Sequence, residues 1–132
     1  MKVISTGVTM AKRRKPTPDG WPTVTPRIFV DDVDGLVGFV KRVFKAKGRA
    51  RGEGPAVLTI GDSRIMVSSA EVRARTGAFL YVYVDDADST YRRAVAAGAT
   101  SLEEPHDLPY GDRRGMVEDR WGNTWQIATH LG

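Results

Sequence analysis

The side chains able to do chemistry are few and scattered. The chain has two histidines, His106 and His130, and no cysteine, so disulfides, thiolate metal sites and a cysteine nucleophile are excluded. No His-x-x-x-His pair, ligand-spaced cluster or composed Ser-His-Asp triad can be assembled. His106 follows Pro105 in a stretch that reads as a loop, and His130 stands near the C-terminal end. Paired carboxylates occur twice, as Asp31-Asp32 and Asp85-Asp86. Such pairs can serve acid–base catalysis or cation binding. Each pair, however, lies between a strand-like and a helix-like run, where an aspartate caps the helix and complements its dipole. Capping is the reading adopted. What remains is aromatic and hydrogen-bonding: Arg27, Phe29, Phe79, Tyr81, Tyr83, Tyr110, Trp121 and Gln126.

The elements that must position these residues come in two copies. Val30-Asp31-Asp32-Val33-Asp34 returns as Val84-Asp85-Asp86-Ala87-Asp88, and Gly61-Asp62-Ser63 returns as Gly122-Asn123-Thr124. In the first copy a strand from about Thr23 to Val30 leads to a helix capped by Asp31 or Asp32. That helix runs to about Lys45, with Leu36, Val37, Phe39, Val40, Val43 and Phe44 as its apolar stripe and Gly48 as its stop. A weak strand at Arg49–Arg51 and a hairpin of Ala56–Ile60 with Arg64–Ser68 follow. In the second copy the β-branched and aromatic run Phe79–Val84 leads to a helix capped by Asp86 or Asp88 and ended by Gly98. Strands at Thr100–Glu103, Met116–Asp119 and Thr124–Thr129 complete it, with a loop from Pro105 to Asp112. The prediction is an α+β fold: two βαβββ modules, about 23–69 and 78–130, forming a curved mixed sheet with a concave cleft. Both modules belong to a single domain, 21–132, preceded by a flexible basic arm, 1–20.

Length and composition agree with one soluble domain: 132 residues, 41% apolar and 27% charged. No apolar run is long enough to span a membrane and no secretory signal is visible, so a cytoplasmic location is expected. The net charge of +4 is local. Lys2, Lys12, Arg13, Arg14 and Lys15 give the first fifteen residues +5, which leaves −1 for the rest. A near-neutral body argues against a nucleic-acid footprint.

Taken in order, these motifs resemble the vicinal oxygen chelate superfamily, which includes glyoxalase I, extradiol dioxygenases and bleomycin resistance proteins. The carriers are the paired Val-Asp-Asp-x-Asp entries, Glu118-Asp119-Arg120-Trp121-Gly122-Asn123, and Trp125-Gln126-Ile127-Ala128-Thr129-His130. Tyr110-Gly111-Asp112-Arg113 resembles a loop of the PhnB-like branch. The resemblance covers about Thr23 to His130 and implies the glyoxalase/bleomycin resistance/dihydroxybiphenyl dioxygenase fold, a homodimer, and in catalytic members a divalent metal. Counting back from the repeated motifs, the ligand positions fall on Thr25, Ile65, Phe79 and Gln126. Only Gln126 offers a donor atom of use, so no metal and no cofactor is expected.

Strand alternation then assigns faces. Thr25, Arg27 and Phe29, Ile65 and Val67, Phe79, Tyr81 and Tyr83, and Thr124, Gln126 and Ala128 are expected to line the concave face. Ile28, Val30, Leu80, Val82, Val84, Trp125 and Ile127 are expected to pack beneath the helices. In this reading the three aromatics stack on a flat ligand, Arg27 and Gln126 orient its polar groups, and Tyr110 and Trp121 stand at the rim. A buried Arg27 would need a partner, for which Glu118 is a candidate. The function expected is metal-free binding of a small organic ligand by a homodimer, with sequestration of an aromatic or planar antibiotic as one form. The alternative is a lyase-, isomerase- or dioxygenase-like enzyme with a non-standard or absent metal site, using Tyr81, Tyr83, Glu118 or Arg27 as acid–base groups or an unusual metal held by Gln126. Catalytic residues stay unassigned, and neither membrane nor nucleic acid is expected as a partner.

Overall fold

The computed structural model describes residues 16–49, 54–71 and 73–132. The basic part of the expected arm, residues 1–15, and the end of the expected weak strand, Ala50 and Arg51, lie outside these. The element order is β1 (Arg27–Val30), α1 (Val33–Phe44), β2 (Lys47–Arg49), β3 (Ala56–Ile60), β4 (Ser63–Ser69), β5 (Phe79–Tyr83), α2 (Ala87–Ala96), β6 (Thr100–Asp107), β7 (Asp112–Glu118) and β8 (Thr124–His130). This is the βαβββ unit twice. The strands form two four-stranded mixed sheets, ordered β1-β4-β3-β2 and β5-β8-β7-β6. In each, the first strand pairs in parallel with the last, and the other pairings are antiparallel.

Both helices begin as their aspartates dictate. Asp32 accepts from the Gly35 N–H at 2.9 Å, and Asp86 accepts from the Asp88 and Ser89 N–H groups at 3.1 and 3.3 Å. Each satisfies N–H groups that the first helical turn leaves unpaired. The whole predicted stripe of α1 is buried. The end of α1 differs from expectation: it stops at Phe44, where Lys45 adopts a left-handed conformation at φ 58°. Gly48 lies beyond, inside β2 at φ +123°, where a Cβ would collide with the Val57 carbonyl. That glycine serves the strand pairing and does not stop the helix.

The helix-facing sides of both sheets share one core. Ile28, Val30, Ile65 and Val67 of the first sheet, Val117, Trp125 and Ile127 of the second, and the α1 stripe form a single buried cluster. Phe44 and Phe39 on α1 lie 5.1 and 6.4 Å, ring to ring, from Trp125 on β8. Leu80, Val82 and Val84 are packed against this cluster but only partly buried. Two further boundaries change. β1 starts at Arg27, so Thr25 precedes the strand. β6 runs on through Pro105 and His106 to Asp107, with register shifts on either side of Glu103. Proline is accommodated there because β6 is an edge strand and the irregularity removes the need for its N–H.

Candidate functional site

Register decides which side chains meet. On the second sheet Phe79, Tyr81 and Tyr83 pair with Thr124, Gln126 and Ala128, and these continue across to Glu118, Met116 and Arg114 of β7. All face away from the core, as the alternation requires. On the first sheet Arg27 pairs with Met66 and Phe29 with Ser68, while Arg64 and Met66 stand opposite Thr59 and Val57. The outer face of β4 is therefore Arg64, Met66 and Ser68. Ile65 and Val67 point into the core, at 4% and 0% exposure. The expectation for these two was wrong by one residue, and a one-residue slip moves every side chain to the opposite face.

The second sheet's outer face carries a connected polar network. Asp112, at the start of β7, is buried and accepts from the Tyr81 hydroxyl at 2.6 Å, the Tyr83 hydroxyl at 2.8 Å and His130 Nδ1 at 2.9 Å. A carboxylate can only accept, so the His130 proton sits on Nδ1 and Nε2 is left toward solvent. The Tyr81 and Tyr110 hydroxyls are 3.2 Å apart, and Arg114 donates to Tyr110 at 3.4 Å and to Glu103 at 2.9 Å. Ala128, the only small residue in this row, lets the Tyr81 and Tyr83 rings lie 5.2 Å apart over the sheet. The Tyr81 hydroxyl bond, followed by that of His130, holds the Asp112 carboxyl below its usual range in spite of burial. Burial, and then the bond to Asp112, push the Tyr81 phenol far above its usual range. For Tyr83 the Asp112 bond is the larger cause. Both phenols are thus held as donors, and Asp112 is committed to structure.

The predicted residues divide into two groups. Tyr81, Tyr83 and Tyr110 belong to the network, with Phe79 and Gln126 beside them on the same face. Arg27 and Phe29 occupy the first sheet. Arg27 is exposed and donates through Nε to the buried Ser68 at 2.9 Å, with its guanidinium 5.1 Å from the Phe29 ring centre. The expected Arg27–Glu118 bridge is not formed, because Glu118 lies on the other sheet. Trp121 is not at the rim. It packs edge-on against Phe39 at 6.0 Å, over the first turn of α1. Among the described residues, no hydrogen bond, ion pair or ring contact joins the two outer faces. Sequence reading missed Asp112, His130, Arg114, Glu103 and Arg64. The alternation Asp112-x-Arg114-x-Met116-x-Glu118 was the available signal.

A cavity of about 670 Å³ opens beside β5, and its lining brings Leu80, Tyr81, Val82 and Tyr83 together with Phe44, Ile60, Arg64 and Ile65. The four positions that the fold's metal-binding members would use do not fit an ion here. Ile65 is in the core, Phe79 has no donor, and Thr25 precedes β1, which leaves Gln126 on β8. No group of three or more potential ligands occurs among the described residues.

Comparison with known proteins agrees with this architecture. The family profile for the Glyoxalase/Bleomycin resistance protein/Dioxygenase superfamily matches residues 22–127. Uncharacterized protein Mb0911c of Mycobacterium bovis is 27% identical over 125 residues, covering 81% of this chain and 82% of that one. TioX from Micromonospora sp. ML1 superposes with a TM-score of 0.65 at 25% identity, over 82% of this chain and 99% of TioX. A glyoxalase/bleomycin resistance protein/dioxygenase family enzyme from Burkholderia phytofirmans PsJN gives 0.69 at 24% identity, over 80% and 95%, which shows the shared fold. The chain belongs to the Glyoxalase/Bleomycin resistance protein/Dioxygenase superfamily.

Proposed function

We propose that this protein is a metal-free small-molecule-binding protein of the glyoxalase/bleomycin-resistance type. Two copies pair so that the first sheet of one faces the second sheet of the other, and an aromatic or planar ligand is held between them. The observation that carries this reading is the open aromatic face. Phe79, Tyr83 and Tyr110 are 66%, 61% and 59% exposed on one surface, and exposed aromatic groups of this extent mark contact sites. In addition, β1 and β5 each end a sheet with an edge that is unpaired among the described residues, which is a template for a further strand or copy. Sequestration of an antibiotic in the cytoplasm is the form proposed, with the Tyr110–Arg113 loop suggesting the PhnB-like branch.

The test combines sedimentation velocity with a thermal-shift screen of aromatic antibiotics and metabolites, repeated on Arg27→Ala and Tyr81→Ala. A dimer with hits weakened by either substitution supports the reading. A monomer without hits, or hits that neither substitution weakens, overturns it. One observation favours a second reading. His130 Nε2, backed by Asp112 through Nδ1, has the arrangement of a general base, as an isomerase- or lyase-like member would use. Turnover lost in His130→Gln would identify that case.

A further inference from the structure

The two outer faces differ in charge as well as in aromatic content. Strand pairing puts Arg27, Lys47, Arg49 and Arg64 on the outer face of the first sheet, together with Phe29, Val57, Thr59, Met66 and Ser68. The strand positions of that face carry no carboxylate among the described residues. Lys47 and Arg49 sit on the edge strand β2, where cations discourage sheet-to-sheet aggregation, and need no other explanation. Arg27 and Arg64 are different. Arg64 is on the interior strand β4, and Arg27 is drawn inward over the sheet by its hydrogen bond to Ser68 on β4.

Both guanidinium groups are held by aromatic rings. Arg27 lies 5.1 Å from the centre of Phe29 and Arg64 lies 4.8 Å from the centre of Trp21. Trp21 is itself fixed by a turn in which its N–H donates to Pro18 at 3.1 Å. Arg64 stands two residues before Met66, the β4 partner of Arg27, so the two arginines lie diagonally on the same face. Among the described residues Arg27 uses only Nε as a donor, and Arg64 donates no hydrogen bond and forms no ion pair. Each planar fork, oriented by a ring, matches the geometry of a carboxylate or phosphate oxygen pair.

We propose that Arg27 and Arg64 are the anion-recognition half of the ligand site, and that the ligand is a planar aromatic anion. This rests on the cleft reading above. The phenol-rich second sheet supplies the stacking surface, and the arginines of the first sheet hold the carboxylate or phosphate.

The test is a calorimetric titration of the full chain with naphthoate, naphthyl phosphate, naphthol and naphthylmethylammonium at neutral pH. At least one anion should bind roughly tenfold or more tightly than naphthol, since charge-assisted pairing exceeds neutral contacts by about this factor. The preference should shrink as salt is raised. An Arg27→Gln/Arg64→Gln double variant should lose the preference while binding naphthol within about twofold of the parent. Equal affinity for all probes, or preference for the ammonium, overturns the anion proposal and leaves the aromatic cleft standing. Loss of naphthol binding in the variant overturns it too, because the arginines would then act by packing. A variant that becomes monomeric assigns them to interface ion pairs instead. If no probe binds the parent, both readings fall.

Discussion

Removing the Asp119 carboxylate should be among the most damaging single changes in this chain. Asp119 is buried between β7 and β8, and its two oxygens serve four donors. These are the Trp121 N–H at 2.9 Å, the Asn123 N–H at 2.9 Å, the Asn123 amide at 3.0 Å and the Trp125 indole at 2.8 Å. Asn123 and Trp125 are themselves 1% and 0% exposed, so water cannot replace the lost acceptor without entering the core. Each orphaned buried donor costs about 1–3 kcal/mol. The donors share one cavity and can partly rearrange, so about 3–5 kcal/mol is expected for Asp119→Ala. That is a large share of the roughly 5–15 kcal/mol that holds a domain together. Asp119→Asn should cost less, because its carbonyl can still accept from the indole. The consequence reaches the candidate site, because Asn123 also accepts from the Ala78 N–H at 3.0 Å, immediately before β5. Urea unfolding followed by tryptophan fluorescence measures the loss, read from midpoints at unchanged slope. A cost under about 1 kcal/mol for Asp119→Ala would refute the argument, since buried donors would then be finding partners the structure does not show.

Asp86→Ala removes the acceptor for two N–H groups of α2 and should cost about 1 kcal/mol in the same assay. Asp85→Ala, whose residue is exposed and makes no cap, should fall within about 0.5 kcal/mol of zero. Equal losses for the two would sink the capping assignment. At high pH, Tyr81 and Tyr83 keep their protons in the folded state after the unfolded chain has lost them. Their contribution is therefore whole below pH ~10 and disappears as pH rises beyond it. Tyrosinate absorbance should show a late-titrating fraction that shrinks in Asp112→Asn, chiefly through Tyr83, because burial still raises Tyr81. A single titration near the ordinary phenol value would contradict the network.

The sequence by itself determined the elements, their duplication and the core. Asp32 and Asp86 cap through bonds to residues two or three positions away, and the α1 stripe needs only helical period to be read. Trp125 and Ile127 were placed correctly because alternation along one strand is a local property. What failed was anything that crosses between strands. The outer face of β4 is a separate case, misread because Ile65 was placed by counting from the repeated motifs, whereas the strand's own alternation buries Ile65 and Val67 and turns Arg64 and Met66 outward. Trp121 faces α1 rather than the rim because the β7–β8 turn packs against Phe39, a residue far away in the chain. Asp112 and His130 looked unremarkable alone, and became a dyad only when antiparallel pairing set them side by side. Tertiary structure also decided that the two aromatic and cationic faces stay open within one chain. A shared core fixes which sides of the sheets turn inward, and no local pattern reports where the opposite sides end up relative to each other.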